Sequence, residues 1–291
     1  MFFGSIPALV TPFSGGRVAE DTFREFVDWQ ISEGSNGLVP CGTTGEVATL
    51  NDDEHRRVIA IAVEAAKGRV PVIAGCGTYD TAASIERART AADVGADAVL
   101  AVVPYYNKPS QAGLAAHFTA IAEASPLPIV VYNVPSRTVA DISVETLGKI
   151  SAHPRIVALK DATGNLARVS AQRIACGHDF CQLSGNDDMA LGFNAMGGVG
   201  CISVTANVAP KLCSEFQMAT REKRWDDALS LQDKLYPLHA ALFTDASPAP
   251  TKYALLRLKA DFPAELRLPL VEASDSSKRA VDAALEHAGL I

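Results

Sequence analysis

The chain predicts an α/β fold, a (β/α)8 TIM barrel with a helical C-terminal extension. Three observations carry that expectation. Short β-prone runs alternate with amphipathic helical stretches, and eight such strands can be counted before residue 205. The runs are apolar throughout rather than at every second residue, as strands covered on both faces require. The first run leads into Thr11-Pro12-Phe13, not into the glycine-rich turn that opens a doubly wound sheet.

The first strand is expected over Ser5–Thr11. A helix over Asp21–Ser32 follows, with Phe23, Phe26, Val27 and Ile31 on one face and Asp21 or Thr22 as its cap. Gly37–Cys41 is the second strand, and the helix Asn51–Lys67 opens on Asn-Asp-Asp-Glu, a capping and dipole signature. Val70–Gly75 precedes the helix Thr81–Val94, which is capped by Asp80 or Thr81 and closed by Gly95. The strands Ala98–Pro104, Pro128–Asn133 and Ile156–Lys160 alternate with helices over Gln111–Ser125, Ser143–Ser151 and Leu166–Ala175. Gln182–Gly185, the helix Asp187–Ala195 and Val199–Val204 complete the barrel. Beyond it the pattern stays helical over Lys211–Arg221, Trp225–Phe243, Thr251–Ala260 and Ser276–Ala288, broken at Ser247-Pro248-Ala249-Pro250. That is more than a barrel needs, so residues 1–224 are assigned to the barrel and 225–291 to the extension.

The 291 residues are 48% hydrophobic and 20% charged, an ordinary soluble balance. A formal net charge of -7 without a basic run argues against nucleic acid as a partner. Anionic substrates must then be captured by local cations or backbone amides. No apolar stretch is long enough to span a membrane, and the N-terminus lacks a signal-peptide pattern. Four of the six cysteines lie in or beside apolar runs and read as core residues. Cys176, His178 and Cys181 lack a second ligand pair at a fitting spacing, so no metal is expected. A reducing cytoplasm fits this cysteine usage.

Function in such a barrel sits at the C-terminal ends of the strands. The sixth strand ends abruptly in Lys160, followed by Asp161. A lysine held where water is scarce loses its proton more easily, and a neutral amine forms Schiff bases with carbonyls. Taken alone, Lys160 could equally be a solvated charge or an ion-pair partner. The second strand ends in Gly42-Thr43-Thr44-Gly45-Glu46, whose hydroxyls and free amides suit a carboxylate, although a plain turn is the simpler reading. The fourth ends in Tyr105 and Tyr106, and the fifth in Tyr132-Asn133-Val134-Pro135-Ser136-Arg137-Thr138. Tyr132 is a phenol able to pass protons, and the Arg137 guanidinium suits a carboxylate. Gly197-Gly198-Val199-Gly200 precedes the eighth strand and falls at the opposite end, so no sugar phosphate is expected there. Amine, phenol, hydroxyl pair and guanidinium at one barrel end describe chemistry on a 2-keto acid, with the imine as electron sink.

The Gly42–Glu46 segment, Tyr132–Thr138 and the Leu159-Lys160-Asp161 strand end resemble the dihydrodipicolinate synthase (4-hydroxy-tetrahydrodipicolinate synthase) family. That family belongs to the pyruvate-dependent class I aldolase and N-acetylneuraminate lyase superfamily. The resemblance runs from about residue 4 through the C-terminal helices. It implies a lyase of lysine and diaminopimelate biosynthesis, condensing pyruvate with L-aspartate 4-semialdehyde without a cofactor. Lys160 would form the imine, and Tyr132 would shuttle protons, linked through Thr43 to Tyr106 of a neighbouring subunit. Thr44 would hold the pyruvate carboxylate, Gly185 would shape the pocket, and the Ile202 carbonyl would lie near the amine. Arg137 would receive the carboxylate of the second substrate. The family's members are typically homotetramers, a dimer of dimers.

One region departs from the family pattern. Feedback-inhibited members bind lysine with an asparagine and a glutamate near the start of the helix after strand three. This chain has Tyr79 and Ala83 there, while His55 and Tyr105 remain. Weak or absent inhibition by lysine is the expectation, because no carboxylate meets the effector's ammonium group. Two other readings stay open: a related aldolase acting on keto-deoxy sugars or N-acetylneuraminate, and a non-catalytic keto-acid-binding homologue.

Overall fold

The computed structural model describes residues 2–291. Strand β1 (Gly4–Pro7) leads into a hairpin, β2 (Phe13–Ser14) and β3 (Arg17–Val18), turned at Gly15 and Gly16, both at positive φ. Six further strands follow: β4 (Ile73–Gly75), β5 (Ala98–Val102), β6 (Ile129–Asn133), β7 (Ile156–Asp161), β8 (Cys181–Ser184) and β9 (Gly200–Ser203). With β1 they form one parallel sheet in the order β1-β9-β8-β7-β6-β5-β4. The expected second strand, Gly37–Cys41, is not a regular ladder. Only Leu38 and Val39 bridge, to Val72 and Ala8. Their backbone groups nonetheless bond both ways, Val39 N–H to the Pro7 carbonyl at 2.9 Å and Ile73 N–H to Leu38 at 2.8 Å. This short stave closes the curved sheet. It stops at Pro40, which has no N–H to continue a ladder. The first strand is likewise shorter than expected: Ala8 and Leu9 still donate to the Ser203 and Val39 carbonyls, but the Val10 N–H turns to the Asn207 side chain at 3.0 Å.

The barrel helices are α1 (Glu20–Ser32), α2 (Asp52–Ala66), α3 (Thr81–Asp93), α4 (Gln111–Ala124), a single turn α5 (Pro135–Thr138), α6 (Val144–Ile150), α7 (Ala167–Cys176), α8 (Ala190–Ala195) and α9 (Pro210–Arg221). The cap expected for α1 is corrected. Ala19 is the N-cap without a side-chain bond, and Glu20 and Asp21 occupy the first turn, where they suit the helix dipole. Asn51 and Glu54 form the expected reciprocal capping box on α2, and Asp80 accepts from Ala82 and Ala83 at the start of α3. Helix α8 begins later than expected because Asp187 does not join it. Its carboxylate instead accepts from the backbone N–H of Val204 at 2.8 Å, beyond the end of β9.

Two apolar layers result. Alternate residues of the strands, among them Ile6, Ile73, Leu100, Val130, Ala158 and Ile202, fill the barrel interior. Their neighbours, such as Val99, Val131 and Leu159, face the helices. The extension consists of α10 (Trp225–Ala241), α11 (Ala249–Leu258) and α12 (Asp275–Ala288). Leu235, Leu255 and Leu285 join the outer layer, and Phe262 meets Phe26 of α1 edge-on at 5.4 Å. Each such fully buried side chain contributes roughly 1.5–3 kcal/mol of transfer free energy, so the extension is bound to the barrel by the same core that holds the barrel together.

Candidate active site

Register sets the centre of the site. Tyr132 of β6 lies directly opposite Lys160 of β7. Each is two residues beyond an interior position, Val130 and Ala158, so alternation turns both side chains into the barrel. Asp161, one residue further, faces outward. It is held by Gln172 Nε2 at 2.6 Å and by the Thr163 N–H at 2.8 Å, so its carboxylate is a structural acceptor and not a partner of the lysine.

Lys160 is 6% exposed. Among the described residues its amine has no hydrogen bond and no carboxylate within ion-pair distance; its nearest recorded partner is the Tyr132 ring, 4.2 Å from the centroid. A buried amine without a counter-ion is unusual among structural lysines. It borders a 470 Å³ cavity lined by Thr43, Thr44, Tyr132, Arg137, Gly185 and Asp187, among others. Gly185 is needed sterically, since a Cβ there would lie 3.1 Å from Lys160 Cε and 2.7 Å from Ala162 Cβ.

The Gly42–Glu46 segment forms a turn in which Gly45 N–H bonds Gly42 at 3.0 Å and Glu46 N–H bonds Thr43 at 3.1 Å. The backbone N–H groups of Thr43 and Thr44 have no protein acceptor among the described residues and are available to an anion. Thr11 Oγ1 donates to the Gly45 carbonyl at 2.7 Å and ties the turn to the end of the first strand. Arg137, on the short turn α5, is exposed at the cavity rim with no ion-pair partner among the described residues.

The remaining expected positions lie outside this cavity lining. Tyr106 is 94% exposed, adopts a φ of 70°, and does not line the cavity of its own chain. No hydrogen bond links Tyr132 to Thr43 among the described residues. Ile202 is fully buried in the barrel interior. His55 is buried, its Nε2 bonded to the Gly75 carbonyl at 2.7 Å, and burial lowers its pKa from the usual imidazole value. Tyr79 packs edge-on against Tyr105 at 5.2 Å, with Ala83 one turn into α3.

Several lining residues were not anticipated. His239, Ala240, Phe243 and Ser247 come from the extension, which roofs the cavity. His239 Nδ1 pairs with the Thr205 hydroxyl at 2.8 Å, and burial lowers its pKa although Asp187 and Asp188 oppose that shift. Only the unbroken helical pattern around His239 was visible beforehand, and periodicity carries no information about which end of a barrel a later helix covers.

Comparison with known proteins places this arrangement. The model of the dihydrodipicolinate synthetase family matches residues 1–288. The chain belongs to the dihydrodipicolinate synthetase family. A family member from Zymomonas mobilis, named 4-hydroxy-tetrahydrodipicolinate synthase, is 66% identical over 291 residues, all of both chains. The protein of the same name from Rhizorhabdus wittichii is 64% identical over 290 residues, again covering both chains fully. Among solved structures, a chloride-inhibited dihydrodipicolinate synthase of Acinetobacter baumannii, complexed with pyruvate, superposes with a TM-score of 0.97 at 41% identity over 100% of both chains. The family's barrel is therefore this chain's barrel, and the cavity above Lys160 is its candidate active site.

Proposed function

We infer that this chain is a lyase that condenses pyruvate with L-aspartate 4-semialdehyde to give 4-hydroxy-tetrahydrodipicolinate, the entry to diaminopimelate and lysine. The observation that carries the reading is a buried lysine, unpaired among the described residues, facing a tyrosine in register at the mouth of a barrel, in a chain 66% identical to a protein named 4-hydroxy-tetrahydrodipicolinate synthase.

The pyruvate carboxylate is received by the free N–H groups of Thr43 and Thr44. The Lys160 amine attacks the keto carbon, water leaves, and an imine forms. The imine withdraws electrons from the neighbouring methyl, which loses a proton to become a carbon nucleophile. Tyr132, opposite Lys160 in the ladder, carries protons to and from the imine and the aldehyde. Arg137 holds the carboxylate of the semialdehyde, a bidentate fit that a polyhydroxylated sugar does not offer. Attack on the aldehyde makes the new carbon–carbon bond, and the substrate's own amine then displaces Lys160 as the ring closes. Gly185 leaves room for the lysine stem. No cofactor takes part in these steps.

Tyr106 acts across a subunit boundary in this reading, completing a relay through Thr43 in a homotetramer built as a dimer of dimers. Its near-complete exposure and its place outside the lining of its own cavity support that assignment. A cytoplasmic site of action fits a biosynthetic lyase in which no described helix is long and apolar enough to cross a membrane.

Borohydride added with pyruvate traps the imine as a stable amine, and peptide mass mapping locates it. The expected adduct is on Lys160. Absence of an adduct, or one on another lysine, overturns the mechanism. Turnover of aspartate semialdehyde against a keto-deoxy sugar then tests the substrate.

A further inference from the structure

We propose that Glu46, Lys252 and Arg267 are positioning residues: a buried charge clamp by which the C-terminal extension sets the Thr43–Thr44 turn relative to Lys160. The proposal rests on the reading of that turn as the pyruvate carboxylate site. Glu46 closes the turn through its backbone, donating to Thr43, and it does so at a φ of 55°, in the left-handed region. Its side chain runs away from the cavity into the protein. There it forms an ion pair of 2.5 Å with Lys252 of α11, and both side chains are 0% exposed. The second carboxylate oxygen accepts from the Arg267 backbone N–H at 3.2 Å.

The two cations are themselves fixed. Lys252 Nζ donates to the Glu265 carbonyl at 2.7 Å and lies 4.4 Å from the centre of the Phe13 ring. The Arg267 guanidinium lies 4.2 Å from the same ring, pairs with Glu54 of α2 at 2.5 Å, and donates to the carbonyls of Thr49 at 2.9 Å and Gly16 at 2.7 Å. Phe13 begins the β2–β3 hairpin, so the clamp gathers the turn, the start of α2, the hairpin and the extension around one aromatic ring.

A fully buried ion pair adds little net stability compared with an apolar contact of the same volume. It does, however, tie α11 to Glu46, one of the two residues whose backbone N–H closes the carboxylate turn. Burial lowers the Lys252 pKa from the usual amine range, and the Glu46 carboxylate opposes that shift. A turn displaced by a fraction of an ångström presents its free N–H groups badly to pyruvate while leaving Lys160 and Tyr132 untouched.

The test is steady-state kinetics on Glu46→Gln and on the double variant Glu46→Gln/Lys252→Met, which leaves no buried charge unpaired and guards against a folding failure of the single change. Both are expected to raise KM for pyruvate by about tenfold or more, with kcat at saturating pyruvate much less affected. Lys160 should still be trapped completely by borohydride once pyruvate is raised. Lys252→Arg, which keeps the charge, is expected to recover part of the pyruvate affinity. A merely structural role would lower the amount of active enzyme, and so kcat, at unchanged KM; that result overturns the clamp. Native enzyme that is not trapped by pyruvate at all overturns the functional reading, and the clamp with it. Native trapping combined with an unchanged KM in the double variant overturns the clamp alone.

Discussion

Lys160 is buried yet unpaired among the described residues, and that combination distinguishes it from Lys252, which is buried and paired with Glu46. Lys160→Arg keeps a cation but cannot form the imine. It is expected to abolish borohydride trapping and to lower turnover by more than about a thousandfold. Arg137→Ala removes a charge-assisted contact worth about 1.5–3 kcal/mol, so KM for the semialdehyde should rise by roughly tenfold to a hundredfold by the same energies. Pyruvate trapping on Lys160 should be unaffected; a matching loss there would refute the assignment of Arg137 to the second substrate. These residues were legible in the sequence because each ends or closely follows an apolar run. Asp187 and His239 were not, since one looked like a helix start and the other like one polar residue on a long helix.

At the scale of elements, caps written in the sequence are found where expected on α2 and α3. Asn51→Ala breaks the reciprocal box on α2 and is expected to cost about 1 kcal/mol, measured as a lower urea midpoint with unchanged KM values. The start of α3 carries a regulatory consequence. Its neighbourhood offers Tyr79 stacked on Tyr105, the small Ala83, and a His55 already bonded to the Gly75 carbonyl. Neither Tyr79 nor Ala83 supplies a carboxylate for the ammonium group of lysine, and inhibition is expected to be weak or absent. A submillimolar inhibition constant would contradict this. Strand lengths were the least legible feature. Pro40 cuts short the second ladder because a proline lacks the N–H a ladder needs, and in the first the Asn207 side chain takes the Val10 N–H that would have continued the ladder.

For the whole molecule, acid stability follows from its buried histidines. Burial lowers the pKa of His55, His117 and His239, with His117 brought from 6.5 to about 4. A histidine lowered in the folded state is protonated more readily by the unfolded chain. Its contribution is complete above the unfolded pKa of 6.5 and is lost as pH falls towards 4. The slope reaches about 1.4 kcal/mol per pH unit for each fully titrating histidine. Unfolding free energy should therefore decline steadily across that window, and His117→Gln should flatten the decline by up to one proton. An equally steep dependence in the variant would show that His117 does not contribute. The barrel and its extension should unfold together, since one apolar layer runs through both.

The sequence by itself determined the barrel, the helical extension and the strand-end lysine, tyrosine, threonines and arginine. Those follow from local periodicity and from the rule that parallel barrels place strand ends on one face. Tertiary structure alone decided which side chains meet. Register put Tyr132 opposite Lys160, the extension folded back to roof the cavity with His239 and Phe243, and Lys252 reached Glu46 across more than two hundred residues of chain. Pairings at that separation are set by how packed layers come together, and no local pattern in a single chain records them.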